Sequence, residues 1–146
     1  MGPLPVLYQH LIPPNKEALK KKSLQRPPLI HCGYVAEEEF LFGYARHHGL
    51  LQECLGIHEG ETVLLELDTM YAAVKSILTE LKISSIPIRL PVVAAQGGVT
   101  RVIVLYNNYS MENIPTGEDI QELARYLGKE QEQPRWYFDA TCWRWN

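Results

Sequence analysis

The sequence predicts an α+β fold: a small, mainly antiparallel sheet with about three helices packed mostly on one face. Three observations carry this. Apolar residues recur at helical spacing in three separate stretches, near 35–49, 62–82 and 117–128. Two β-patterned stretches, 86–94 and 99–106, flank Gln96-Gly97-Gly98 and read as a hairpin. A further extended, aromatic stretch, 135–139, lies near the end of the chain. A mostly helical fold with an appended hairpin is the alternative.

Residues 1–31 read as a proline-rich, partly apolar, basic arm. Six of the ten prolines fall in residues 1–28, and proline both removes a backbone donor and biases its predecessor to extended geometry. One short helix is expected at about Asn15 to Leu24, opened after Pro14 with Asn15 as cap. Leu4, Val6, Leu7, Tyr8, Leu11, Ile12, Leu29 and Ile30 make the arm too apolar for a linker. It is expected to wrap the body or to dock on a second copy. Residues 32–146 read as one globular domain. A chain of 146 residues can hold a core without disulfide or metal.

From Tyr34 the pattern is helical. Phe40, Leu41, Tyr44, His48 and Leu51 share a face, Glu37, Glu38 and Glu39 suit a helix N-terminus, and Gly49 is a natural stop. Gly56 and Gly60 bracket a loop. Val63, Leu64, Leu67, Met70, Tyr71, Val74, Ile77, Leu78 and Leu81 then keep one helical stripe for about five turns. Thr62 to Leu65 can also be read as a short strand, with Asp68 capping a shorter helix. The unbroken phase favours the long helix.

Ile86, Ile88, Leu90, Val92 and Ala94 alternate on one strand face. Pro87 and Pro91 lack N–H groups on the same edge, which places this strand at the rim. The run Val102-Ile103-Val104-Leu105-Tyr106 is apolar on both faces and reads as central. After the polar loop Asn107 to Ser110, a third helix opens at Thr116, with Asp119 at capping-box spacing and Gly128 as its end.

Composition bounds function. With 46% hydrophobic and 21% charged residues the chain is of ordinary globular type, and no apolar run approaches the ~18 residues of a membrane span. The net charge of −3 argues against a nucleic-acid binder. It is unevenly spread: residues 1–31 carry five basic residues against one acidic, and residues 32–146 carry nine against sixteen. Lys20-Lys21-Lys22 would support a nuclear address or an anionic partner, but a solvated or self-packed arm is the preferred reading. Three cysteines without C-x-x-C spacing, and a start lacking a signal-peptide pattern, lead to the expectation of an intracellular, cytoplasmic protein.

Phosphate-loop, dinucleotide, metalloprotease, nucleophile-elbow and EF-hand signatures are absent. No metal and no cofactor are expected, because the His and Cys residues form only loose pairs such as His31-Cys32 and Cys54-x-x-x-His58. His47 and His48 suit a helix C-terminus. As a catalytic alternative, His48 is a general base oriented by Glu38 or Asp139, and Cys54 is a nucleophile, against a buried, inert thiol. Tyr106, Asn108 and Tyr109, just past the central strand, are candidates to line a ligand crevice, against an ordinary loop.

Five of fourteen aromatic residues fall in the last eleven positions: Trp136, Tyr137, Phe138, Trp143 and Trp145. They close the core, form a protein interface, or stack on a flat ligand. The expectation is a non-catalytic interaction module that self-associates through the arm and the Trp-rich C-terminus, with Tyr8, Trp136, Trp143 and Trp145 as contacts. The alternative is a small cofactor-independent enzyme or ligand binder with its pocket between helices and sheet.

Overall fold

The computed structural model describes residues 4–13 and 26–143, which form an α+β fold. The helix expected at 15–24, Lys20 to Lys22, and Trp145 lie outside the described residues. In chain order the elements are β1 (Ile30–Val35), α1 (Glu38–His47), β2 (Glu53–Leu55), β3 (Thr62–Leu64), α2 (Glu66–Glu80), β4 (Val92–Ala95), β5 (Gly98–Asn107), α3 (Gly117–Tyr126) and β6 (Arg135–Phe138). They fall into two compact units: Met1–Val35 with Ser85–Asn146, and Ala36–Ser84.

The first unit holds a four-stranded antiparallel sheet in the order β4-β5-β1-β6. β5 is central, as its apolar run requires. The other central strand, β1, opens on Ile30 and His31, which the sequence pattern assigns to the arm, and it ends where a helix was expected to begin. The cause is visible at Gly33. The β1–β5 register shifts between Cys32 and Gly33, and a Cβ at position 33 would run into the Ile103 carbonyl oxygen. The glycine that blurs the β pattern is therefore what lets β5 approach.

The hairpin is shorter than its sequence pattern. Regular pairing starts at Val92, after Pro91, and turns through Gln96 and Gly97, whose φ of 83° suits glycine. Residues 86–91 are not a strand, because Pro87 and Pro91 cannot donate. Their stretch still accepts from β5: Val104 N donates to Arg89 O and Val102 N to Pro91 O, both at 3.3 Å. β4 ends the strand order, yet it is not a bare rim. Val93 bridges Asp139, and Ala140 N donates to Val92 O at 2.9 Å. The sheet thus curls until its two outer strands touch at one seam. Val93, Val102 and Val104 fill the inside of the curl, with Val35 and Tyr137 against them. α3 begins as expected: Thr116 Oγ1 accepts from Asp119 N at 3.2 Å, and Ile120, Leu123 and Ala124 are buried.

In the second unit, α1 and α2 pack together, with Leu41, Ala45, Ala73, Val74 and Ile77 buried. Tyr44 Oη lies 2.8 Å from Ser76 Oγ and donates to Glu80 Oε2 at 3.3 Å. The long helix expected over 62–82 is corrected here. Thr62–Leu64 pairs antiparallel with Glu53–Leu55, and the helix opens only at Glu66, with Leu65 rather than Asp68 as its N-cap. Two bonds with Gln52 fix this break. Leu65 N donates to Gln52 O at 2.7 Å, and Gln52 N donates to Thr69 Oγ1 at 3.0 Å. Tertiary bonding overrides a helical phase that Val63 and Leu64 only happen to continue.

Candidate functional site

The seam between β4 and β6 has an underside that carries a buried polar pair beside the valine core, and an apolar outer face. On the underside, His31 pairs across the sheet with Tyr137 and Asn107. Asp139, two residues beyond Tyr137, comes onto the same face. His31 Nε2 lies 2.9 Å from Asp139 Oδ2, and both residues are buried. The second carboxylate oxygen accepts Thr141 N at 2.9 Å, Thr141 Oγ1 at 2.7 Å and Cys142 N at 3.0 Å, which winds residues 139–142 into a tight turn.

The electrostatics fix the roles. Burial pushes the Asp139 carboxyl up, but hydrogen bonds from His31, Thr141 and Cys142 outweigh it and hold the group down at about 2. Burial lowers His31 below its ordinary value; the hydrogen bond and charge of Asp139 oppose this, and Arg89 adds to it. A neutral imidazole therefore donates Nε2–H to a carboxylate. Its Nδ1 is buried with no hydrogen-bond partner among the described residues. A base so enclosed, with no hydroxyl or thiol at Nδ1, acts as a strut between β1 and the C-terminal turn.

On the outer face, strand alternation presents Phe138 and Ala140, and Ala94 pairs with Val99 across the hairpin. With Trp143 they line an open apolar groove of about 300 Å³. Val99, Phe138 and Trp143 are 67%, 45% and 49% exposed. Trp143 is carried by a turn held at Asp139 and, through Leu29 N donating to Cys142 O at 2.8 Å, at the entry to β1. The strut underneath thus positions the aromatic above.

The described residues of the arm lie along their own unit and are held by their backbone. Trp136 Nε1 donates to Pro5 O at 3.4 Å, Tyr109 Oη to Pro27 O at 2.5 Å, and Asn108 Nδ2 to both Leu11 O and Pro28 O at 2.7 Å. Asn108 Oδ1 also accepts from Ile30 N at 2.9 Å. Leu4, Leu7, Leu11 and Ile12 are half-buried, while Val6 is 93% and Tyr8 75% exposed, with Tyr8 stacked on His10 at 5.8 Å.

These bonds place the ligand-binding candidates. Asn108 is buried and spends its amide on the arm and on β1, and Tyr109 spends its hydroxyl on Pro27. Tyr106 is buried, edge-on to Trp136 at 5.2 Å, and paired across β1 and β5 with Cys32, whose thiol burial pushes up to about 12. The three form an internal clamp.

The catalytic candidates fall in both units. Asp139 is paired with His31. His48 is the exposed C-cap of α1, its Nδ1 2.9 Å from Tyr44 O and its ring stacked on Tyr44 at 3.9 Å. Glu38 is at the other end of that helix, about 15 Å away at 1.5 Å per residue. Cys54 is exposed in β2, opposite Val63, which corrects the expectation of a buried thiol. His31 and Cys32 point to opposite faces of β1. Sequence reasoning singled out Asp139 but missed His31 as its partner, since 108 residues separate them and no local spacing signals the pair.

Comparison of the chain with protein-family models, curated proteins and solved structures finds no match. No helix among the described residues is long and apolar enough to cross a membrane.

Proposed function

We propose that the protein is a non-catalytic interaction module that self-associates, using the groove beside Phe138 and Trp143 together with the outward side chains Val6 and Tyr8 of the arm. The observation that supports this reading is the groove itself. Two aromatic side chains flank an apolar floor, both about half exposed, on a seam rigidified from below by the buried His31–Asp139 hydrogen bond. Large aromatic residues on a fixed support are the usual anchors of protein interfaces, because little rotamer entropy is lost on contact. Asn108, Tyr109 and Asp139 spend their polar side-chain groups on hydrogen bonds within the chain. The three free cysteines, two of them exposed, support a reducing, intracellular location.

Native mass spectrometry of the purified chain tests the reading. The expected result is a dimer or larger assembly that Trp143→Ala and Phe138→Ser convert to monomer while the circular dichroism spectrum is retained. A monomer at every concentration overturns it. A stoichiometric small-molecule adduct on a monomeric wild-type chain would favour the ligand-binding alternative.

A further inference from the structure

We infer a second contact in that assembly: the exposed face of the β2–β3 hairpin receives the lysine-rich stretch between Leu11 and Pro28 of a second copy. This rests on the self-association reading and extends it to the second unit.

The hairpin calls for a cover. All six residues of β2 and β3 are exposed. Leu55 and Ile57 stand 86% and 98% exposed, and Leu64 shares a strand face with Leu55. A lone two-stranded sheet is marginal in water, and an apolar surface of this kind marks an interaction site.

Charge selects the occupant. Residues 53–68 contain Glu53, Glu59, Glu61, Glu66 and Asp68 and no lysine or arginine. All five acids are exposed. The whole second unit, 36–84, has nine acidic residues against three basic. An exposed stretch that is both apolar and acidic fits a segment that is both apolar and basic. The chain carries one. Between Leu11 and Pro28 lie Lys16, Lys20, Lys21 and Lys22 against Glu17, with Ala18, Leu19 and Leu24 among them. Residues 14–25 of this stretch are outside the described residues. Its two ends are drawn together, because one amide nitrogen, Asn108 Nδ2, holds both Leu11 O and Pro28 O. Leu11 and Pro28 thus form a neck closed at Asn108. Each copy has both the basic stretch and the acidic apolar face, so two copies satisfy each other reciprocally, as a two-fold dimer requires.

The test is charge reversal with mixing, read by sedimentation equilibrium at low salt. One variant carries Lys20→Glu, Lys21→Glu and Lys22→Glu; the other carries Glu53→Lys and Glu59→Lys. Each alone is expected to self-associate about tenfold more weakly than wild type, and added salt to weaken the wild type in the same direction. Mixing the two variants restores association. Variants that associate as tightly as wild type overturn the inference, and the groove reading stands if Trp143→Ala still gives monomer. Restoration only when all five changes are in one chain, and not on mixing, also overturns it, because the contact is then within the chain. A wild-type protein that is monomeric throughout fails the self-association reading itself.

Discussion

The two sheets of this protein treat their side chains in opposite ways. In the four-stranded sheet, residues far apart in sequence close each other's hydrogen bonds: His31 with Asp139, Asn108 with Leu11, Pro28 and Ile30. In the two-stranded sheet every residue is exposed. The bonds that fix its ends are local, as between Leu65 and Gln52 or Gly56 and Glu61. The first sheet stabilises its own unit. The second contributes little that its backbone does not already give, and leaves its apolar surface for contact. The distinction predicts that substitutions in the first sheet change stability, and substitutions in the second change association.

The largest effect is expected at Gly33. A Cβ there meets the backbone of Ile103, which cannot rotate away, so β1 and β5 must separate. Gly33→Ala should cost about 3 kcal/mol in urea unfolding. A loss no larger than that of an ordinary surface exchange would remove the claim that the bulge is required for close strand approach.

Asn108→Ala should follow at about 2 kcal/mol, since it strands the Ile30 N–H and removes both bonds to the arm. Limited proteolysis sharpens this. With its neck released, the 12–27 stretch should be cut faster than in wild type. Unchanged cutting would show that Asn108 does not hold the neck.

How much of this was legible in the sequence follows from the same contrast. Features set by local pattern were readable: the Gln96-Gly97 turn, the Thr116 cap, the apolar run of β5, the extended end at 135–138. Features set by distant partners were not. β1 contains Gly33 and His31, which weaken its β pattern, and both are explained only by residues seventy or more positions on. Thr62 to Leu64 sit in phase with the helix that follows, so periodicity alone joins them to it. At the site, Trp143 and Asp139 stood out by residue type. Ala94, Val99 and Ala140 did not, because small apolar residues mean nothing until the seam places them side by side.

The buried pair makes the comparison pH-dependent. His31 is lowered from 6.5 in the folded protein, so as pH falls the unfolded chain takes up a proton first and stability is lost below that value. Asp139 is held at about 2 against an ordinary 3.8. Its contribution is present above 3.8 and is lost as pH falls toward 2. The two act in the same direction, so stability should be level above about pH 7 and decline in two stages below it. His31→Gln should flatten the upper stage and leave the lower one. A wild-type profile that is level from pH 7 to pH 5 would mean the folded protein accepts the proton as readily as the unfolded one, and the enclosed neutral ring would be wrong.

The smallest effect on stability belongs to the second sheet, and that is what makes it informative. Ile57 is 98% exposed, so its side chain is equally hydrated in folded and unfolded chains, and Ile57→Ser should shift unfolding by no more than about 0.5 kcal/mol. Its effect should be on association, because a side chain kept in water by the isolated fold gains only when a second surface covers it. Urea unfolding and sedimentation on the same preparation separate the two quantities. Weaker association at unchanged stability keeps the hairpin as a contact surface. A clear loss of stability with association intact would make Ile57 part of the fold's own core, and the contrast between the two sheets would then be one of degree.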